Sequence, residues 1–451
     1  MKAVEKLLIA NRGEIACRII RSCQEMGIPT IAVHSEADKE ALHVRIADEA
    51  YEIGPAPVKE SYLNINAILS VMKTSGANTV HPGYGLLSEN ARFARAVQDA
   101  GHIWIGPAPE TIDTMGDKER ARELAISLEV PVLPGSGRFR PGDDGDLSEI
   151  AETIGYPLLV KAAAGGGGIG MRAVNAPEKL AAQIETTQNL AERTFGDSSI
   201  FLERYVANAR HVEMQVFGFG NGEGIHLFDR DCTIQRRFQK IIEEAPAPKL
   251  PDGVRERMQE AALVLVRHQK YLGAGTVEFI YDCDREEFYF LEMNTRIQVE
   301  HAVTEMVTGT DLVRCQIEAA TGKYTSARQE DIRLTGHAIE CRIYAERPEK
   351  KFMPSPGTLE VLAFPPNSED LRIDTGVTQG DKITPYYDPM IAKVIASGKD
   401  RTAAIERMRK ALQETRIEGL GNNREFLLEV LSDPDFENVQ ITTNYIDKLS
   451  K

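Results

Sequence analysis

The densest run of reactive side chains is Asn294-Thr295-Arg296-Ile297-Gln298-Val299-Glu300-His301. An arginine, an amide and a backbone N–H this close together can clamp a small oxyanion. Arg296 supplies a planar fork, with Gln298 and the Val299 N–H as further donors. Glu300 then reads as a general base, or as a helix cap or ion-pair partner. Just upstream, Glu278 lies in Thr276-Val277-Glu278-Phe279-Ile280 and Glu292 in Tyr289-Phe290-Leu291-Glu292-Met293-Asn294. A lone carboxylate in an apolar strand is expensive to bury and needs a partner. On the two strands of one hairpin they would converge. A few hard oxygens with space for phosphate oxygens describe a Mg²⁺–nucleotide site; two structural ion pairs with arginines are the other solution. Asn294, two residues beyond Glu292, falls on the same strand face and would add a carbonyl ligand.

Two further segments suit anions. Gly165-Gly166-Gly167-Gly168-Ile169-Gly170 satisfies a dinucleotide-binding glycine pattern, but Met171–Val174 after it reads as a strand, and that pattern requires a helix. No Gly-Lys-Ser/Thr follows, which excludes a Walker loop. What remains is a glycine flap between two strands, able to lay backbone N–H groups over phosphates, or a flexible surface loop. Consecutive glycines carry a large backbone entropy cost that close approach to a polyanion would offset. Lys161, on the strand feeding the flap, can reach a phosphate. Asp231–Lys240 forms a basic patch with Arg236, Arg237 and Lys240, suited to an anionic substrate or simply solvated.

These segments need a scaffold. The first 115 or so residues alternate strand (Lys6–Ala10, Thr30–His34, Ala50–Ile53, Thr79–His81) with helix (Glu14–Met26, Ala37–Ala47, Asn64–Thr74), which predicts a parallel sheet covered by helices. Asn11-Arg12-Gly13 and His81-Pro82-Gly83-Tyr84-Gly85 then fall at carboxyl ends of strands, where ligands bind. From Met115 the spacing predicts a helix over Lys118–Leu128, the strand into the flap, two helices near Pro177–Phe195, and then mostly strands, with Gly275–Tyr281 and Glu287–Met293 as an antiparallel hairpin. A third section follows Tyr324, with strands Gly336–Ala345 and Thr358–Phe364 and a helix over Arg401–Glu414.

Composition bounds the function. The 451 residues suggest roughly three domains. Lys plus Arg is 53 against 68 Asp plus Glu, a net charge of -15, which excludes a nucleic-acid surface. No apolar run approaches the roughly 18 residues of a membrane span. The six cysteines form no C-x-x-C pair, so buried thiols in a reducing compartment are expected, with the cytoplasm as default.

In combination these motifs resemble the biotin carboxylases, the ATP-grasp component of biotin-dependent carboxylases. The resemblance rests on Ile9-Ala10-Asn11-Arg12-Gly13-Glu14-Ile15-Ala16, His81–Gly85 with Leu87-Ser88-Glu89-Asn90, Met115-Gly116-Asp117-Lys118, the glycine flap, Arg210-His211-Val212-Glu213, Glu243-Glu244-Ala245-Pro246-Ala247-Pro248, Glu292–His301, Pro354-Ser355-Pro356-Gly357 and Tyr386-Tyr387-Asp388-Pro389-Met390-Ile391. It implies an α/β protein of ATP-grasp fold with an α+β centre. A Rossmann-like parallel-sheet domain would span 1–115, an ATP-grasp domain 116–330 with a lid over about 133–205, and a C-terminal α+β domain 331–451.

The resemblance also implies roles. Lys118, Lys161 and Gly165, Gly166, Gly167 and Gly168 would hold ATP phosphates. Glu203 and backbone near Tyr205 and Val206 would read adenine, and His211 and Gln235 the ribose. Glu278, Glu292 and Asn294 would carry Mg²⁺ or Mn²⁺. Lys240, Arg296, Gln298 and Val299 would bind bicarbonate, Glu300 would deprotonate it, and Arg342 would stabilise the biotin enolate. Bicarbonate and ATP would give carboxyphosphate, and biotin would be carboxylated at N1′. No Met-Lys-Met biotinylation motif occurs, so biotin is expected on a separate carrier protein, with carboxyltransferase subunits completing an acetyl-CoA carboxylase or related acyl-CoA or urea carboxylase. A homodimer is expected, with Arg18, Arg21 and Glu25 at positions resembling its interface. Two departures stand out. The flap has Ile169 and Ala164, closer to the urea carboxylase branch, and Phe238 replaces a histidine found near the ribose in some members.

Overall fold

The computed structural model describes residues 3–143, 147–163, 170–237 and 239–449. Gly165, Gly166, Gly167 and Gly168, with Ala164, Ile169 and Phe238, lie outside the described residues.

Strands Glu49–Glu52, Thr30–His34, Leu7–Ile9, Thr79–His81 and Ile103–Trp104 form one parallel sheet in that order. Alternate residues of the apolar strand serve opposite faces. Leu7 and Ile9 pack on helix Gly13–Glu25, and Leu8 on the side of helices Ile65–Ser75 and Ala91–Asp99. Strand order reverses between Leu7–Ile9 and Thr79–His81, which opens a crevice at their carboxyl ends. Asn11 Nδ2 bridges it, donating to the carbonyls of Pro82 (2.7 Å) and Tyr84 (2.8 Å). Gly83 has φ +62°, and a Cβ there would lie 2.9 Å from that amide, so this turn requires glycine.

Eight antiparallel strands form the second sheet: Glu287–Asn294, Leu272–Asp282, Ala209–Phe219, Gly224–Arg236, Gln239–Ala245, His337–Tyr344, Met390–Gly398 and Leu371–Thr375. Gln239–Ala245 pairs directly with His337–Tyr344, so one sheet carries the hairpin carboxylates at one end and the C-terminal strands at the other. A small antiparallel sheet of Met171–Val174, Leu158–Ala162 and Ile200–Arg204 has its own core of Leu158, Val160, Val174, Ile200 and Leu202 under Ala151, Ile154 and Leu180.

Some predicted elements are shorter. The helix expected over Ala37–Ala47 is a 3₁₀ turn, Glu36–Asp38, and a short helix, Leu42–Ile46. The buried Asp38 carboxylate is committed to Arg12 and the Tyr62 hydroxyl, which fixes the chain there. The two helices near Pro177–Phe195 are one 3₁₀ turn and one helix, Leu180–Phe195. All six cysteines are free. Among the described residues no helix is long and apolar enough to cross a membrane.

Candidate active site

Strand register builds the site. Ala209–Phe219 alternates His211, Glu213 and Gln215 on one face among apolar residues, the period of a strand. Register then sets Arg230, Glu213, Glu278 and Glu292 side by side across four strands. Three adjacent carboxylates repel, so the row holds only if cations answer it.

Two cations do so from inside. Arg230 is fully buried and gives its guanidinium to Glu213 (2.6 Å), Gln215 (2.5 Å), Gln298 (2.8 Å), Thr276 (3.0 Å) and Thr304 (3.0 Å). Lys240, at the start of Gln239–Ala245, reaches across the row. Its Nζ lies 2.6 Å from Glu213, 2.8 Å from Glu278 and 2.7 Å from Glu300. Burial opposes this charge, but the three glutamates outweigh it and hold Lys240 well above the ordinary lysine value. A lysine ammonium thus sits where three carboxylates meet.

Glu300 immediately precedes helix His301–Thr308, yet its side chain makes no capping bond. It turns instead to Lys240 and to Arg342, whose Nη2 donates at 2.9 Å. Burial would raise its carboxyl, but Lys240 and then Arg342 hold it far below the usual range. Glu300 is therefore ionised, and its basicity rises only when another anion draws these cations away.

Arg296 donates to Glu89 (2.9 Å) and to Asn294 Oδ1 (2.9 Å). Asn294 Nδ2 and Gln298 Nε2 both donate to Glu278 Oε1, at 2.9 and 2.8 Å. These bonds qualify two expectations. The Asn294 carbonyl, expected on a metal, accepts from Arg296. The Gln298 amide, expected on an anion, is engaged at both ends by Glu278 and Arg230. Lys393, fully buried, donates to the Val299 carbonyl at 2.8 Å and fixes the peptide leading into Glu300.

Glu278 and Glu292 face each other in register. Burial opposes ionisation of Glu278, but Lys240 and His211 hold it well below its ordinary value. Partial burial and the facing Glu278 raise Glu292, whose only ion pair among the described residues is Lys118 at 3.8 Å. A divalent cation between the two would relieve that repulsion, so the donor set fits Mg²⁺.

The remaining expected nucleotide residues are engaged by partners of their own. His211 Nε2 is 3.1 Å from Glu278 and its Nδ1 is 3.0 Å from the Gln235 amide, so His211 joins the carboxylate row. Lys161 Nζ is 2.6 Å from Glu203, on the paired strand of the small sheet. The Tyr205 N–H donates to the Pro157 carbonyl, and Val206 packs with Leu133 and Tyr289. Beyond Arg342 a cavity of about 890 Å³ opens between the N-terminal sheet and the C-terminal strands, lined by Tyr84, Gly85, Arg296, Val299, Arg342 and Tyr387 among others.

Residues 3–112 match the family of biotin carboxylase N-terminal domains, 117–327 the ATP-binding domain of the carbamoyl-phosphate synthase L chain, and 340–448 the biotin carboxylase C-terminal domain. Biotin carboxylase 1 of Bacillus subtilis is 49% identical over 444 residues, covering 98% of each chain. The chain belongs to the biotin carboxylase family. As such it is an ATP-dependent ligase that forms a carbon–nitrogen bond. The methylcrotonoyl-CoA carboxylase subunit alpha of Mus musculus is 48% identical over all 451 residues, which span 62% of that longer protein. The biotin carboxylase domain dimer of Hydrogenobacter thermophilus 2-oxoglutarate carboxylase, solved with MgADP, ADP and bicarbonate, is 44% identical with a TM-score of 0.92, covering 100% of this chain and 98% of that one. The urea carboxylase of Kluyveromyces lactis stands further off, at 37% identity and TM-score 0.80, covering 98% of this chain and 33% of that one.

Four residues of this biotin carboxylase site carry no role in the sequence reading: Glu89, Glu213, Arg230 and Lys393. Lys393 alone among them is a single charge inside an apolar run, Ile391-Ala392-Lys393-Val394-Ile395, the signal that marks Glu278 and Glu292, whereas Arg230 sits between two aspartates. The spacing does not say which ones meet.

Proposed function

We propose that this chain carboxylates biotin at N1′, using ATP and bicarbonate, with the biotin held on a separate carrier protein. The observation that carries this reading is Glu300 ion-paired to both Lys240 and Arg342, with Arg342, Arg296 and Val299 lining a cavity large enough for a bicyclic ligand.

The residues divide the work. Bicarbonate enters between Lys240 and Arg296, against the Val299 N–H. As it draws Lys240 away, Glu300 becomes basic enough to take the bicarbonate proton. The freed oxygen attacks the γ-phosphorus of ATP, the bond to ADP breaks, and carboxyphosphate forms. Lys118, Lys161 and the flap, Gly165–Gly168, would hold the phosphates, and Glu203, Tyr205, Val206, His211 and Gln235 would line the nucleoside. Glu278 and Glu292 would hold Mg²⁺ or Mn²⁺, which when bound neutralises phosphate charge. Carboxyphosphate splits to CO₂ and phosphate. The phosphate takes the N1′ proton, Arg342 stabilises the enolate oxygen, and N1′ attacks CO₂. Fixed cations in a buried site supply most of the stabilisation, and excluding water protects carboxyphosphate.

The H. thermophilus dimer supports a homodimer here. Arg18 does not serve as an exposed interface charge within this fold. It is buried in ion pairs to Glu305 and Asp311 of its own chain, whereas Arg21 is half-exposed and Glu25 exposed. Relatives that are methylcrotonoyl-CoA carboxylase subunits support an acyl-CoA acceptor, with a carboxyltransferase partner. Phosphate release from MgATP and bicarbonate, measured with and without free biotin, tests the reading. Stimulation by biotin is expected; an unchanged rate would remove it.

A further inference from the structure

Glu243 and Glu340 have no part in the steps above. They stand in register on Gln239–Ala245 and His337–Tyr344, so both side chains leave the same sheet face. Both are fully buried, and none of the four carboxylate oxygens accepts a hydrogen bond among the described residues. Buried acceptors seldom go unsatisfied, and two ionised carboxylates side by side in a dry interior repel strongly. One proton on the pair resolves both problems.

Geometry selects the member that carries it. Arg342, two residues beyond Glu340 on the same face, has its Nε 2.7 Å from Glu243 and 4.0 Å from Glu340. We propose that Glu340 is a neutral carboxylic acid and that Glu243, as the carboxylate, is the positioning residue that keeps Arg342 aimed into the cavity.

The surroundings agree. Burial is the largest influence on both carboxyls and raises both; Arg342 draws Glu243 back down, and Lys393 does so for Glu340. The other groups facing the pair are Lys240 as a cation and Glu300 and Glu213 as anions. Burial keeps the thiols of Cys232 and Cys341 and the phenol of Tyr344 neutral. His301, on the helix packed across both strands, is also held neutral, by burial and then by Lys393. Glu243 matters most late in the reaction. Glu300 holds Arg342 by Nη2 only while ionised. Once Glu300 has taken the bicarbonate proton, Glu243 is the anion left on that guanidinium as the biotin enolate forms.

This inference rests on the proposed function. The test is phosphate release with and without free biotin, from about pH 6 to about pH 9, for the wild type, Glu243→Gln, Glu243→Asp and Glu340→Gln. Gln at 340 imitates a neutral acid, so Glu340→Gln should stay within about threefold of wild type at every pH. Glu243→Gln should lose about tenfold more of the biotin-dependent rate than of the biotin-independent rate, and Glu243→Asp should recover part of the loss. In the wild type the biotin-dependent rate should fall towards acid pH as Glu243 takes a proton, and Glu243→Gln should lack that limb. Equal losses in Glu243→Gln and Glu340→Gln would overturn the assignment, as would a Glu243→Gln that lowers both rates alike. A wild type that biotin does not stimulate would overturn the function as well, which separates the two failures.

Discussion

Lys240 and Lys161 are both assigned to anions, but they live in opposite surroundings. Lys240 rises from the eight-stranded sheet into a buried basin and meets three carboxylates. Lys161 lies on the three-stranded sheet, more exposed, and meets one carboxylate, Glu203, on the neighbouring strand. The basin is wired to the main core through Arg230 and Lys393. The small sheet has a separate core of a few aliphatic residues, and local openings of low free energy come from small, separately packed units of that kind. The contrast teaches a division of labour. The groups that we propose meet bicarbonate are held in place beforehand by these ion pairs, which is how oriented charges stabilise a transition state at little reorganisation cost. Lys161 and Glu203, which we propose meet ATP, ride instead on the separately packed small sheet.

This contrast can be broken at several points, the largest effect first. Lys240→Met leaves Glu213, Glu278 and Glu300 without their shared cation. Biotin-dependent turnover should fall by about 10³-fold, with a lower melting temperature from the unpaired buried carboxylates; a fall of less than tenfold would mean the basin is not built around this lysine. Glu300→Gln should keep ATP binding, read by nucleotide titration, and lose about 10²- to 10⁴-fold in turnover. If turnover is unchanged, Glu300 is not the base. Lys161→Ala should raise KM for ATP by about tenfold and leave kcat within about threefold, the pattern of lost uniform binding. A matching collapse of kcat would place Lys161 with Lys240 rather than apart from it.

The smallest effect sharpens the comparison within a single strand. Glu243 and Glu244 are neighbours that face opposite sides of the sheet. Glu243 faces Arg342 and the basin. Glu244 pairs with His337 and Arg401, at 2.7 and 2.6 Å, against the C-terminal helices. Burial opposes ionisation of Glu244, but His337 and Arg401 pull its carboxyl down to about 2. A depressed carboxyl stabilises the fold above its unfolded value of roughly 4.3 and ceases to do so as pH falls towards the folded one. Glu244→Gln should therefore lower the melting temperature at neutral pH, by about 1 °C per kcal/mol lost for a chain of this length. It should leave the ratio of biotin-dependent to biotin-independent turnover unchanged. The gap from wild type should narrow as pH drops from about 4 towards 2. A gap that stays constant there would mean the ion pair is not its source.

Much of this was legible in the sequence. Alternation of strand and helix predicts the N-terminal parallel sheet, and the hairpin holding Glu278 and Glu292 forms with the two residues directly opposed. The density of polar groups at 294–301 marks the basin. Register across four strands was not legible, because a one-residue slip would send the same side chains to the other face. Hence Arg230 and Glu213, which neutralise and complete the carboxylate row, carry no local mark that tells them from structural ion pairs. Glu89 and Lys393 escape for a similar reason. They reach Arg296 and the Val299 carbonyl from elements about 200 and 94 residues away in the chain, and such contacts exist only after folding.

The most direct test of the central claim follows the carbon. With labelled bicarbonate, MgATP and free biotin, the wild-type protein should form an acid-labile carboxybiotin in step with ADP release, and Glu300→Gln should form none. Label that fails to reach biotin while ATP is consumed, or that reaches it equally well in Glu300→Gln, would contradict the account.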